Sequence, residues 1–133
     1  MKQNFIKKTV LVFGNLDVKE DSLAKIVAVK LKDELGEMDF IMCDKPDDVL
    51  SHLSDDFFIL DVVKGLKDVI LITNIDDFCQ TKTVTVHDFD LSTFLKILKG
   101  TGQIKDVKII GVPQKMDFDD AKSKIKMILK NNV

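Results

Sequence analysis

The chain has 133 residues, 45% of them hydrophobic, and a formal net charge of −2. That length fits a single domain over residues 1–133, and that hydrophobic share is enough for a core. All 20 basic residues are lysines interspersed with 22 acids, which excludes an arginine clamp for phosphate and a basic stripe for nucleic acid.

The run Thr9–Phe13 is continuous, apolar and rich in valine, the pattern of a strand buried on both faces. Gly14-Asn15 punctuates it. From Ser22 the period changes, with Leu23, Ile26, Val27, Leu31 and Leu35 on one helical face and Gly36 as a stop. Asp39–Cys43 reads as a second strand. A short helix follows, with Pro46 near its start and Val49, Leu50 and Leu53 on one side. Phe57–Val63 is the third strand and carries Asp61. After the turn at Lys64-Gly65, Val69–Ile75 reads as a fourth strand, close enough to the third to be an antiparallel edge. Asp76–Gln80 reads as polar loop, and Thr81–Val86 alternates like an extended segment that ends at His87. Leu91, Phe94, Leu95 and Leu98 mark a helix stopping near Gly100. Val107–Val112 is the last strand, ended by Pro113. Phe118, Ala121, Ile125, Ile128 and Leu129 mark a closing amphipathic helix.

Strands alternating with helices predict a three-layer α/β/α fold. Its sheet is mostly parallel and twisted, of about five strands, with an antiparallel edge strand and helices on both faces. No stretch approaches the roughly 20 apolar residues of a membrane span. The lysine-containing N-terminus has no long apolar segment before a cleavage site, so a cytoplasmic location without membrane insertion is expected. Cys43 and Cys79 lack CxxC spacing and read as free thiols in a reducing compartment.

Asp21, Asp61 and His87 are the candidate site residues. Each follows an apolar run, and in sheets of this kind ligands bind outside the carboxyl ends of the strands. Two carboxylates and an imidazole are donors that suit one borderline divalent ion, and they leave coordination positions open for chemistry. A carboxylate can also activate water as a general base. Each residue has a plainer reading as well. Asp21 could cap the helix that follows it, Asp61 could cap the Lys64-Gly65 turn, and His87 could be a surface histidine at a strand end. A carboxylate in an apolar strand must nevertheless be paired, hydrogen-bonded or metal-bound. His52 reads as solvent-facing. Glycine-rich phosphate loops and the GxSxG elbow are missing, and Ser51 beside His52 has the wrong geometry for a nucleophile and its base.

Four phrases occur in a telling order. They are Val10-Leu11-Val12-Phe13-Gly14-Asn15 followed by Glu20-Asp21, then Leu60-Asp61-Val62-Val63-Lys64-Gly65, then His87-Asp88-Phe89-Asp90-Leu91, then Ile109-Ile110-Gly111-Val112-Pro113-Gln114. Over roughly Val10 to Val112 the chain resembles the hydrogenase maturation proteases. In that family an acid pair follows a GN loop, a DAV-type phrase ends the third strand, and a histidine precedes a leucine-rich run. Two features depart from the pattern. Ser22-Leu23-Ala24 stands where the family has Gly-x-Gly, and Asp44 runs straight into Lys45-Pro46-Asp47 where the family commonly has a glycine loop.

The resemblance implies a hydrolase, an aspartic-type endopeptidase. It would remove the C-terminal extension of a [NiFe] hydrogenase large-subunit precursor after nickel insertion. Asp21, Asp61 and His87 would contact the nickel, which the substrate contributes, and other divalent metals would also suit the site. Glu20, Asn15 and Asp88 would orient those ligands. The bond would be broken through an ion-polarised carbonyl or a water activated by Asp21 or Asp61. The shortened loop keeps a second reading open, a non-catalytic relative that binds hydrogenase precursors or metal without cutting. A flavodoxin-like small-molecule or signalling domain rests on fold class alone.

Overall fold

A computed structural model describes residues 8–53, 56–80 and 86–132, and the side chains at 79–80 and 86–90 lie outside that description. Five strands, β1 (Lys8–Val12), β2 (Met38–Met42), β3 (Phe57–Val62), β4 (Ile70–Ile72) and β5 (Lys108–Val112), form one sheet in the order β2-β1-β3-β5-β4. All pairings are parallel except that of β4 with β5. The expected antiparallel edge strand is therefore present, shorter than the apolar run that announced it.

Helices α1 (Leu23–Glu34) and α4 (Phe118–Asn131) cover one face, against Val10, Val12, Phe58, Leu60 and Ile110. Helices α2 (Ile75–Gln80) and α3 (Val86–Gly100), with a 3-10 helix at Pro46–His52, cover the other, against Leu11, Phe13, Ile59 and Ile109. Strands covered on both faces have no solvent side, which is why β1 from Val10 onward and β3 apart from Asp61 are apolar. Each such side chain, fully buried, is worth about 1.5–3 kcal/mol relative to exposure, so these two runs anchor the fold.

Four local expectations change. Ile26 is 45% exposed, and Ala24, Val27, Ala28 and Leu31 form the buried stripe of α1. At about 100° per residue, Ile26 lies roughly 200° round the helix from Ala24, and the two alanines let α1 lie close to the sheet. On the 3-10 helix Val49 is buried but Leu50 is 48% exposed, and His52 is half-buried rather than solvent-facing. The segment Asp76–Gln80, expected as loop, belongs to α2. Asn74 starts that helix, its Oδ1 accepting from the Asp76 N–H at 2.8 Å. Ile75 and Phe78, three residues apart, are wholly buried. An Asn cap followed by two acids in the first turn is a helix start, but one short enough to pass for loop. Residues 81–85, expected as an extended segment, lie outside the described residues.

Helix α4 is clamped to α1 by Glu34, which accepts from Lys122 Nζ at 2.6 Å and Lys126 Nζ at 3.0 Å. Lys122 first, then Lys126, hold the Glu34 carboxyl down at about 2. As pH falls, the unfolded chain takes up this proton before the folded one does. The stabilisation is thus complete above about pH 4.5 and is lost as pH drops towards 2. We expect Glu34→Gln to flatten that part of the acid limb in urea midpoints measured from pH 6 to pH 2. The change should be modest, because all three side chains retain solvent contact.

Candidate functional site

The chain leaves β1, runs through α1 to β2 on one side, and returns to β3 on the other side of β1. Connections on opposite faces leave a crevice outside the carboxyl ends of β1 and β3. Asp21 and Asp61 are attached to those two strands.

Asp61 is wholly buried. It lies in the row of Ile59 and Val63, which faces the α2 and α3 layer. Its register neighbour on β5 is Gly111. On the other side the end of β1 runs alongside it, with the Phe13 N–H donating to Leu60 O at 2.9 Å. Asp61 thus stands one pair before the end of the β3–β5 ladder.

Asp21 reaches the same edge by a tight loop. It closes a 3-10 turn at Lys19–Asp21 and is half-buried. Its carbonyl accepts from the Asn15 N–H at 3.0 Å, and its N–H donates to Val18 O at 2.9 Å. Gly14 makes this closure feasible. Its φ is +135°, and a Cβ there would stand 2.6 Å from the Asp21 carbonyl oxygen. The residue preceding α1 is Ser22, so Asp21 is one position too early to be its cap. The Asn15 side chain accepts from the Asp17 N–H at 2.9 Å. It shapes the loop, which is a different task from the expected one of orienting a ligand.

His87 stands in the first turn of α3, where the alternation had placed a strand end. The leucine stripe Leu91, Leu95 and Leu98, all buried, fixes the helix, and the helix continues backwards through Val86. Helix α3 has 15 residues, about 22 Å at 1.5 Å per residue. A five-residue strand spans only about 17 Å. The helix ends just before β5 enters the sheet, so its start lies at the sheet's carboxyl edge, on the face towards which Asp61 is directed. That places the His87 main chain at this edge. Its ring is outside the described side chains, as is Asp88's. Among the described residues no three His, Cys, Asp or Glu side chains form a metal-binding group.

A cavity of about 430 Å³ opens beside Asp21, lined also by Gly14, Asp17, Lys25 and Asp44. Glu20 lines a different cavity, with Ser22, Ile26 and Met116. The sequence reading missed Lys25 and Asp44. Lys25 is 4% exposed, and its Nζ donates to Asp44 Oδ1 at 2.9 Å. The available signal was a lysine directly beside Ala24 and four residues after Asp21, on a helix whose other lysines follow later.

Among solved structures the chain is similar to HybD, the hydrogenase maturating endopeptidase from E. coli. They share 14% identity over 94% of this chain and 93% of that one, with a TM-score of 0.70. The fold is that of a hydrogenase maturation endopeptidase. A Hydrogenase 3 maturation protease shares this endopeptidase fold at 18% identity, over 92% and 88% of the two chains, with a TM-score of 0.64. So does the [NiFe] hydrogenase maturation protease HycI from Thermococcus kodakarensis KOD1, at 20% identity, 94% and 91% coverage and a TM-score of 0.61. No protein-family model and no curated protein sequence matches. At these identities the likeness is one of backbone architecture.

Cys43 lies next to this crevice but takes no part in the candidate chemistry. Burial first, then the Asp48 charge, push its thiol up to about 11. A thiol held neutral at pH 8 is a poor nucleophile and a poor ligand. Iodoacetamide at pH 8 should leave Cys43 unmodified in the native protein and label it in denaturant, as read by peptide mapping. No helix among the described residues is long and apolar enough to cross a membrane.

Proposed function

We propose that this protein is an aspartic-type endopeptidase of hydrogenase maturation, acting in the cytoplasm. It would remove the C-terminal extension of a [NiFe] hydrogenase large-subunit precursor once nickel is in place. The observation that carries this reading is the attachment of Asp21 and Asp61 to the two strands flanking the switch point, in a fold whose solved neighbours include hydrogenase maturation endopeptidases.

Nickel belongs to the substrate in this scheme. Two carboxylate oxygens and one imidazole nitrogen, from Asp21, Asp61 and His87, form an incomplete donor set for a borderline ion. They would hold nickel weakly until the precursor's own ligands complete the shell, and so tie cutting to correct loading. Bound there, nickel would act as a Lewis acid on oxygen. The half-buried Asp21 borders the open cavity and would take a proton from an attacking water. The buried Asp61 would face the ion.

The test is incubation with nickel-loaded and nickel-free precursor, read by mass. Loss of the extension from the loaded form alone is the expected result. Stable binding of the loaded form without a mass change would make the protein a non-catalytic relative. The direct run from Asp44 to Pro46 into the 3-10 helix, with no room for a glycine loop, is what favours that second reading.

A further inference from the structure

We propose that the Lys25 ammonium binds the scissile carbonyl oxygen and stabilises the negative charge that develops on it. The inference rests on the endopeptidase reading and adds a catalytic residue to it.

Lys25 is the third residue of α1, and its side chain is 5% exposed. Its stem passes Gly14, whose Cβ position would lie 3.9 Å from Lys25 Cγ and 2.6 Å from the Asp21 carbonyl oxygen. Lys25 and Asp21 therefore press against one glycine, and both line the same cavity of about 430 Å³. An ammonium has three N–H donors. Asp44 Oδ1 takes one, at 2.9 Å. Among the described residues no other acceptor takes the remaining two.

A structural clamp would be the plainer role, but the loop it would clamp is already held. Asp48 Oδ2 accepts from the Asp44 N–H at 3.0 Å and the Lys45 N–H at 3.1 Å. Its partner Asp44 has a side chain that is 85% exposed, so the ion pair reaches solvent on the Asp44 side. A buried cation with spare donors on a cavity wall is the arrangement that stabilises developing negative charge. Asp17, Asp21 and Asp44 line the cavity with Lys25 as its one lysine, and the endopeptidase reading supplies a neutral peptide carbonyl as the acceptor for the spare N–H donors.

In the step itself, water oxygen adds to the carbonyl carbon and one water proton passes to the Asp21 carboxylate. The carbonyl π pair moves onto oxygen, where a Lys25 N–H donates a hydrogen bond and keeps its proton. Collapse restores the C=O bond and breaks the C–N bond, and Asp21 returns the proton to the departing nitrogen. The products are a new carboxyl terminus and a free amine.

The test compares wild type with Lys25→Met on a nickel-loaded precursor. We expect kcat to fall roughly 100- to 1000-fold, with KM changed by less than about threefold. The thermal midpoint should hold or rise, since an apolar side chain replaces a buried charge. In Lys25→Ala, added methylammonium should restore part of the rate in a saturable way. A kcat within about threefold of wild type for Lys25→Met would overturn the proposal. A lower rate that tracks a lower thermal midpoint, without amine rescue, would overturn it in favour of a clamp. Wild type that binds the loaded precursor without cutting it would remove the endopeptidase reading, and this role with it.

Discussion

Asp61→Asn should leave the protein folded and lower its processing of a nickel-loaded precursor by at least about 1000-fold, and Asp61→Ala should abolish it. The asparagine variant preserves shape and removes charge. Asp61 is wholly buried in the central strand of the sheet, so solvent cannot supply a replacement anion. Its register neighbour on β5, Gly111, has no side chain to offer one. The thermal midpoint of Asp61→Asn, read beside its rate, separates loss of the reacting charge from loss of the fold. Mass analysis of the precursor reports cutting, and circular dichroism reports the fold. Full processing by either variant would reject the assignment. Loss of processing together with unfolding would make Asp61 structural.

The parallel core was legible because burial on both faces leaves an unmistakable record. β1, β3 and β5 are built on short apolar runs of strand length, rich in β-branched residues, the pattern of a sheet covered on both sides. Asp61 stood out for the same reason, as a charge inside one of them. What escaped notice depended on packing rather than pattern. Ile26 looked like core because it is apolar, but the two alanines at 24 and 28 decide how closely α1 approaches the sheet. Val86 and His87 followed an alternating run, and local β propensity lost to a leucine stripe that begins at Leu91 and buries the helix behind it. α2 was hidden by its six residues, too few to display a period. Lys25 was hidden by its chemistry, since a lysine is ordinarily read as a solvated face.

These misses share a consequence for the site. The acids are placed by elements that the sequence declares openly, whereas the groups around them are placed by turns and close approaches. The distance between Asp21 and Asp61 depends on the loop from Gly14 to Asp21, which is held by main-chain bonds. A reader of the sequence sees the two carboxylates but not the loop geometry that sets their spacing.

Gly14→Ala tests that dependence. The residue has φ +135°, a region that costs a side chain about 1–3 kcal/mol. The added Cβ would also meet the Asp21 carbonyl oxygen at 2.6 Å, so the loop must open and the bond from the Asn15 N–H to that oxygen must lengthen or break. A lost bond of this kind removes about 1 kcal/mol more. A total near 3 kcal/mol should lower the thermal midpoint by about 10 °C. The larger effect should be on cutting, measured at a temperature where the variant remains folded. If the loop sets the position of Asp21 for the reaction, a displacement of about 1 Å can reduce the rate roughly 100-fold. Gly36→Ala is the control. Its Cβ would meet nothing within 4 Å, it lies at the far end of α1, and it should change stability by no more than about 0.5 kcal/mol and leave the rate alone. If Gly14→Ala cuts at the wild-type rate despite its lower midpoint, the loop does not set the position of Asp21, and the reading of that acid as a member of the crevice fails.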